Sequence, residues 1–181
     1  MEYRIGQSRD IHCLEKNHRP LIIAGVHLDY EKGPVSHSDG DVVYHALAEA
    51  ILGALALGDL GTFFPDNDDR YLNLNSSLIL KEVIIKMENA GYEINNIDVN
   101  IILQKPKLHD FIDTMRQNIA YLVKTNIENV SIKAQTNEGL DEVGKNNAVE
   151  STAICLLRKK WLIWKKKLEL DMLLVQQDIY I

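Results

Sequence analysis

Asp10 and His12 stand two residues apart, and His37-Ser38-Asp39-Gly40-Asp41 and then His45 follow. On an extended segment residues i and i+2 project from one face, so Asp10 and His12 share a side of their strand. His45 falls in the first turns of the next helix, within reach of the pair. Two imidazoles and a carboxylate suit zinc, and three protein ligands leave a fourth tetrahedral position for water or substrate. Taken singly, Asp10 and His12 read as a polar strand edge and His45 as a surface helix residue; clustered, they read as a metal site. Gly40 and its neighbours lie just before a helix N-terminus, whose free N–H groups and positive dipole end attract phosphate. Asp41, His45 and Glu49 are spaced by four, which places them on one helix face. Asp41 is expected as a cap or as a partner that orients a histidine, and Glu49 as a solvated residue.

Three loops add polar groups. Gly58-Asp59-Leu60-Gly61 and Phe64-Pro65-Asp66-Asn67-Asp68-Asp69 form an acidic, turn-rich stretch. It reads as an ordinary loop or as one whose carboxylates accept hydrogen bonds from sugar-like hydroxyls. Gln104-Lys105-Pro106-Lys107 joins a strand to a helix, and Lys133-Ala134-Gln135-Thr136-Asn137-Glu138 leaves the end of another strand. Ligands of open α/β sheets collect at strand ends, so these two loops are candidate walls of one pocket. Lys107 can meet a phosphate as a point charge, and Glu138 can hold Mg²⁺ or Mn²⁺ beside phosphate oxygens. Neither loop has the glycine pattern of a Walker or dinucleotide motif. His18, His27 and His109 have no assignable partners and read as structural or exposed.

The elements that must position these groups alternate. A strand over Met1–Leu14 carries the first ligands, and Leu21 to Leu28 suggests a hairpin pivoting on Gly25. A helix from about Asp41 to Leu57, capped by Asp39 or Asp41, has an apolar stripe from Val42 to Leu55. A second helix opens at Asn75-Ser76-Ser77, with Leu78, Leu80, Val83, Ile84, Met87 and Ala90 inward and Gly91 as its stop. Ile97–Ile101 and Val130–Ala134 alternate as half-buried strands, Phe111 to Leu122 forms a third helix after Pro106, and Val149–Leu157 is a last strand. The fold class is α+β with α/β-like layering: one domain, with helices packed on one face of a mixed β-sheet.

The chain has 181 residues, 46% of them apolar, enough for a real core. A net charge of −6 argues against nonspecific nucleic-acid binding. Cys13 and Cys155 form no ligand pair and read as reduced thiols in a cytoplasmic or plastid-stroma setting. No signal pattern or membrane span is evident.

Arg4-Ile5-Gly6 leading to Asp10-Ile11-His12, His37 to Asp41 with His45, Gly58 to Gly61, Phe64-Pro65-Asp66, and Lys133-Ala134 to Glu138 resemble, in order, the 2-C-methyl-D-erythritol 2,4-cyclodiphosphate synthase family. The resemblance runs from about Arg4 to Leu157. It implies a cyclising phosphorus–oxygen lyase of the non-mevalonate isoprenoid pathway. The substrate would be 4-diphosphocytidyl-2-C-methyl-D-erythritol 2-phosphate, and the products CMP and the cyclic diphosphate. It further implies a homotrimer, with sheets around a threefold axis and active sites between subunits. Asp10, His12 and His45 match the zinc ligands, and Glu138 the contact to a second ion, Mg²⁺ or Mn²⁺, that bridges the diphosphate. His37 and Thr136 match the transition-state-stabilising positions, and Ser38 a phosphate contact. Asp59, Leu60 and Gly61, with Phe64, Pro65, Asp66, Asn67 and Asp68, match the methylerythritol-binding loop. Leu103, Gln104, Lys105, Pro106, Lys107, Leu108 and His109, joined by Gln135 and Asn137, match the cytidine wall.

The chain departs from this pattern in four places. Ser8-Arg9 replaces glycine and an aromatic, and Gln135 replaces a common threonine. Asp141 to Lys145 replaces a Gly-aromatic-x-Gly-Arg form, leaving Lys145 as a positive charge near the expected trimer axis. Beyond the domain of residues 1–160, residues 161–181 place Trp161, Trp164, Leu168, Met172, Val175 and Ile179 on one helical face beside Lys165, Lys166 and Lys167. This extension reads as an amphipathic helix packed on the protein, ahead of one lying on a membrane. Two other functional readings fit the same residues: a metal-dependent phosphoryl hydrolase, and a binding protein without catalysis.

Overall fold

A computed structural model describes residues 2–65 and 68–160, so the extension over residues 161–181 lies outside the described residues. The long strands β1 (Tyr3–Glu15), β5 (Tyr92–Ile102) and β7 (Ala148–Lys159) join the shorter β4 (Gly33–Val35) and β6 (Val130–Gln135) in one sheet, ordered β4-β1-β7-β5-β6. Only the β5–β6 pair is parallel, so the sheet is mixed. β2 (Leu21–Ile23) and β3 (Val26–Leu28) form the separate hairpin that turns at Gly25.

Alternation along β1 decides where the chemistry faces. Gly6, Ser8, Asp10, His12 and Leu14 lie on the more buried side, while Ile5, Gln7, Arg9, Ile11 and Cys13 are exposed on the other. The period-two expectation thus holds, and both candidate ligands point toward the helices. On β7, Val149, Ser151, Ala153, Cys155 and Leu157 are buried on the same side.

Helix α1 (Val42–Ala54) is apolar nearly all round, which is the pattern of a buried helix. It packs on β1 and β7 from one side and against α3 (Ser76–Asn89) on the other. Its alanines let it approach closely: a Cβ added at Gly6 would sit 1.8 Å from the Ala50 carbonyl oxygen. The short α2 (Leu60–Phe63) and α5 (Asp141–Gly144) lie in loops, and α4 (Ile112–Val123) packs beside β6 and α3.

The inward face of α3 differs from the expectation. Leu78 is 50% exposed, Ala90 is exposed, and Ile79 is buried instead. Leu78-Ile79-Leu80 is an unbroken apolar run, so its phase is set by contacts rather than by sequence period. Strand β5 starts at Tyr92, five residues before Ile97, and a register shift between Ile94 and Asn96 accommodates Asn95 within it.

Candidate active site

Asp41 shows how the site is anchored. Its carboxylate caps α1 by accepting from the Val43 and Tyr44 N–H groups at 3.1 and 3.2 Å. It also accepts from the N–H groups of Ala24 and Gly25, at 2.9 and 2.7 Å. One side chain therefore ties the β2–β3 hairpin to the helix that carries His45, and it lies outside the His45–Glu49 face, contrary to expectation. Burial raises its pKa to about 6 against the pull of those N–H bonds.

His45, one turn into α1, meets the inward face of β1. Asp10 Oδ2 lies 3.1 Å from His12 Nε2 and 3.1 Å from His45 Nδ1, and the two ring nitrogens are 3.2 Å apart. Three donors converge as a nearly equilateral triangle. A tetrahedral ion with bonds of about 2.0–2.1 Å has donor–donor edges of about 3.3–3.4 Å, so the residues fit a zinc-type ion as they stand. Among the described residues this is the group of His, Cys, Asp and Glu side chains placed to hold a metal. Burial disfavours the Asp10 charge, but hydrogen bonding to His12 and His45 outweighs it and holds the carboxyl well below the usual range. Burial opposes the His45 charge as well, yet Asp10 raises its pKa on balance.

Two serines hold the far side of the His45 ring, one of which the sequence reading missed. Ser76 donates to Asp39 Oδ1, so its oxygen is left to accept from His45 Nε2, 2.8 Å away. Ser38 Oγ lies 3.0 Å from the same nitrogen. With Nε2 carrying the proton, Nδ1 presents its lone pair to the triangle. Ser76 is fully buried, and Asp39 also accepts from its backbone N–H at 3.1 Å. Asp39 thus anchors α3 beside the site and leaves the capping of α1 to Asp41. Arg19, also missed, clamps the 36–38 loop by donating to the carbonyls of Ser36, at 2.6 Å, and Ser38.

A cavity of about 460 Å³ opens beside the triangle. It is lined by Asp10, His37, Ser38, His45, Leu60, Gly61, Phe64 and Pro65 of the expected residues, together with Ser36, Glu49, Tyr71 and Ile79. His37 Nε2 donates to the Asp68 carbonyl at 3.3 Å. Glu49 is half-buried in this wall, not solvated. It accepts from Ser8 Oγ at 2.7 Å and from the Leu60 N–H at 3.4 Å, so the unusual Ser8 has a partner. Asp59 caps α2 through Thr62, and Asp68 pairs with Arg70. Asp66 and Asn67 lie outside the described residues.

A second cavity, of about 590 Å³, sits where the parallel strands β5 and β6 both end. Leu103, Gln104, Pro106, Lys107, Leu108, His109, Gln135 and Thr136 line it with Ile112, Asp113, Ile132 and Ala134. The structure brings these residues together as expected, but Lys105 and Asn137 are not in the wall. Lys105 is exposed, and the Asn137 amide donates to Asp141 Oδ2 at 2.6 Å. Thr136 Oγ1 donates to Glu138 at 2.9 Å on the exposed rim. Lys145 pairs with Glu142 at the surface. The two cavities share no lining residue, so within one chain the triangle and the β5–β6 pocket are separate.

A mixed sheet with helices on one face, three metal-type donors between sheet and helix, and a pocket at parallel strand ends define the class. The chain belongs to the YgbB family, whose model matches residues 3–158. A 2-C-methyl-D-erythritol 2,4-cyclodiphosphate synthase from Brachyspira hyodysenteriae is 49% identical over 156 residues, covering 86% of this chain and 98% of that protein. Among solved structures, the bifunctional IspDF of Campylobacter jejuni matches with a TM-score of 0.83 at 38% identity, over 87% of this chain and 42% of that longer one. The IspF–CDP complex of Plasmodium falciparum matches with a TM-score of 0.77 at 34% identity, over 87% of this chain and 97% of that one.

Proposed function

We propose that this protein is a cyclising phosphorus–oxygen lyase acting on 4-diphosphocytidyl-2-C-methyl-D-erythritol 2-phosphate. An oxygen of the 2-phosphate attacks the β-phosphorus, the bond from that phosphorus to the bridging oxygen breaks, and CMP leaves with 2-C-methyl-D-erythritol 2,4-cyclodiphosphate formed. The observation that carries this reading is the 3.1–3.2 Å donor triangle of Asp10, His12 and His45 opening into the cavity lined by His37 and Ser38. Family membership and the names of the relatives support it.

The chain's own part is positioning. Leu60, Gly61, Phe64 and Pro65 enclose the methylerythritol portion, with Asp59 and Asp68 holding that loop's ends. Ser38 and His37 donate to phosphoryl oxygens. The β5–β6 pocket takes the cytidine end, where Lys107 supplies a positive charge and the buried Gln104 Oε1, which has no partner among the described residues, supplies an acceptor. Thr136 donates at the leaving phosphate. The attacking phosphate is already anionic, so orientation and charge screening supply the rate without a general base. Zn²⁺ at Asp10, His12 and His45, with Mg²⁺ or Mn²⁺ at Glu138, would supply Lewis-acid polarisation and charge neutralisation.

The working site lies between copies of the chain in a homotrimer. Two features support this: the half-sites share no residue, and the sheet face away from the helices leaves Ile5 71%, Ile11 43% and Ile154 41% exposed. Phosphorus NMR of the protein with substrate, Zn²⁺ and Mg²⁺ tests the reaction. CMP and a cyclic diphosphate are expected, both absent with His45→Ala. A linear phosphate carrying solvent oxygen would identify a hydrolase, and intact bound substrate a binding protein.

A further inference from the structure

On the outer face of the helical layer, α3 and α4 leave a groove lined by Lys81, Ile84, Ile85, Tyr121, Leu122 and Lys124. Ile85 is 49% exposed and Tyr121 82%, and Leu78, two turns before Ile85 on the same stripe of α3, is 50% exposed. Contiguous apolar side chains of this size are unusual on a surface that nothing covers. The groove lies away from both half-sites, since it shares no lining residue with either cavity.

The end of β7 is tethered at one end of this groove. The Lys160 N–H donates to the Gly91 carbonyl at 2.9 Å, and Lys160 Nζ lies 3.9 Å from Glu88. Glu88, in the last turn of α3, also pairs with the groove residue Lys124 at 2.9 Å. The chain beyond Lys160 therefore sets out within about two helical turns of Ile85, and 21 residues follow Lys160. As a helix they would reach about 30 Å, against about 21 Å for the length of α3. Their apolar positions, Trp161, Trp164, Leu168, Met172, Val175 and Ile179, recur at steps of three and four.

We propose that residues 161–181 fold back as an amphipathic helix into the α3–α4 groove of their own chain and cover Leu78, Ile85 and Tyr121. The tether makes the docking intramolecular, so a modest interface suffices where the same contact between free molecules would be weak.

The protein carries its own probe, because its two tryptophans, Trp161 and Trp164, both lie in this segment. Tryptophan emission and acrylamide quenching of the full chain are compared with those of an Ile85→Glu/Tyr121→Glu double variant, whose fold is checked by circular dichroism. The expected result is blue-shifted, quencher-protected emission in the parent, independent of protein concentration. In the variant it shifts to the red and quenching rises several-fold. Protected emission that the variant does not change would place the segment elsewhere and overturn the proposal. Protection lost on dilution would assign the groove to a second copy, and emission that turns blue only with phosphatidylglycerol vesicles would assign the segment to a membrane surface; either outcome overturns it too.

Discussion

His45 is held from both sides: Asp10 and His12 at Nδ1, Ser76 and Ser38 at Nε2. Replacing Ser76 by alanine removes the group that keeps the Nε2 proton in place. The expected outcome is a 10- to 100-fold loss of Zn²⁺ or Co²⁺ affinity, of the order seen when partners of metal-bound histidines are lost, in a protein that still folds. Competition titration with a chromophoric chelator measures it, and an unchanged affinity would leave Ser76 only a packing role. Asp41 makes a prediction about pH. Its pKa of about 6 in the folded protein lies above the ordinary 3.8. Between those values the folded state binds the proton more tightly than the unfolded chain, so stability falls as pH rises from about 4 to about 6. Each factor of ten in proton affinity is worth about 1.4 kcal/mol, so the whole fall amounts to about 3 kcal/mol at most. Asp41→Asn should remove the slope, seen by urea melts at both ends of that window. It also lowers stability overall, because an amide NH₂ then faces one of the N–H groups the carboxylate now accepts from. An unchanged slope would place its source in another group.

Among the elements, β1 and α1 were the most legible in the sequence, because both follow a simple period. Alternation put Asp10 and His12 on one face, and helical spacing put His45 opposite them. Ser76 and Arg19 were not legible. A serine at a helix start reads as a capping residue, and an arginine clamping two carbonyls seventeen and nineteen residues away leaves no local pattern. The fit of β1 against α1 was hidden for the same reason, since Gly6 reads as an ordinary strand glycine until Ala50 is placed above it. Gly6→Ala is expected to destabilise by about 1–3 kcal/mol or more, the range for overpacking a core, and to lower Zn²⁺ affinity by moving Asp10 and His12 away from His45. Thermal melts with and without metal would show it. A variant as stable as the parent would mean that the two backbones can separate at no cost.

At the scale of the whole molecule, family motifs made the residues of the site readable, but not their division. The sequence places all of them in one chain, and the fold sorts them into two cavities with no residue in common. A variant broken in one cavity therefore still carries an intact copy of the other. Mixing His45→Ala chains with Thr136→Ala chains, each inactive alone, should restore activity after the subunits are dissociated and reassembled together. A mixture that stays inactive would place both half-sites within one subunit. In genetic terms, two null alleles of a single gene would complement each other inside one oligomer. A cell carrying two damaged copies would keep function only where the two changes struck different cavities.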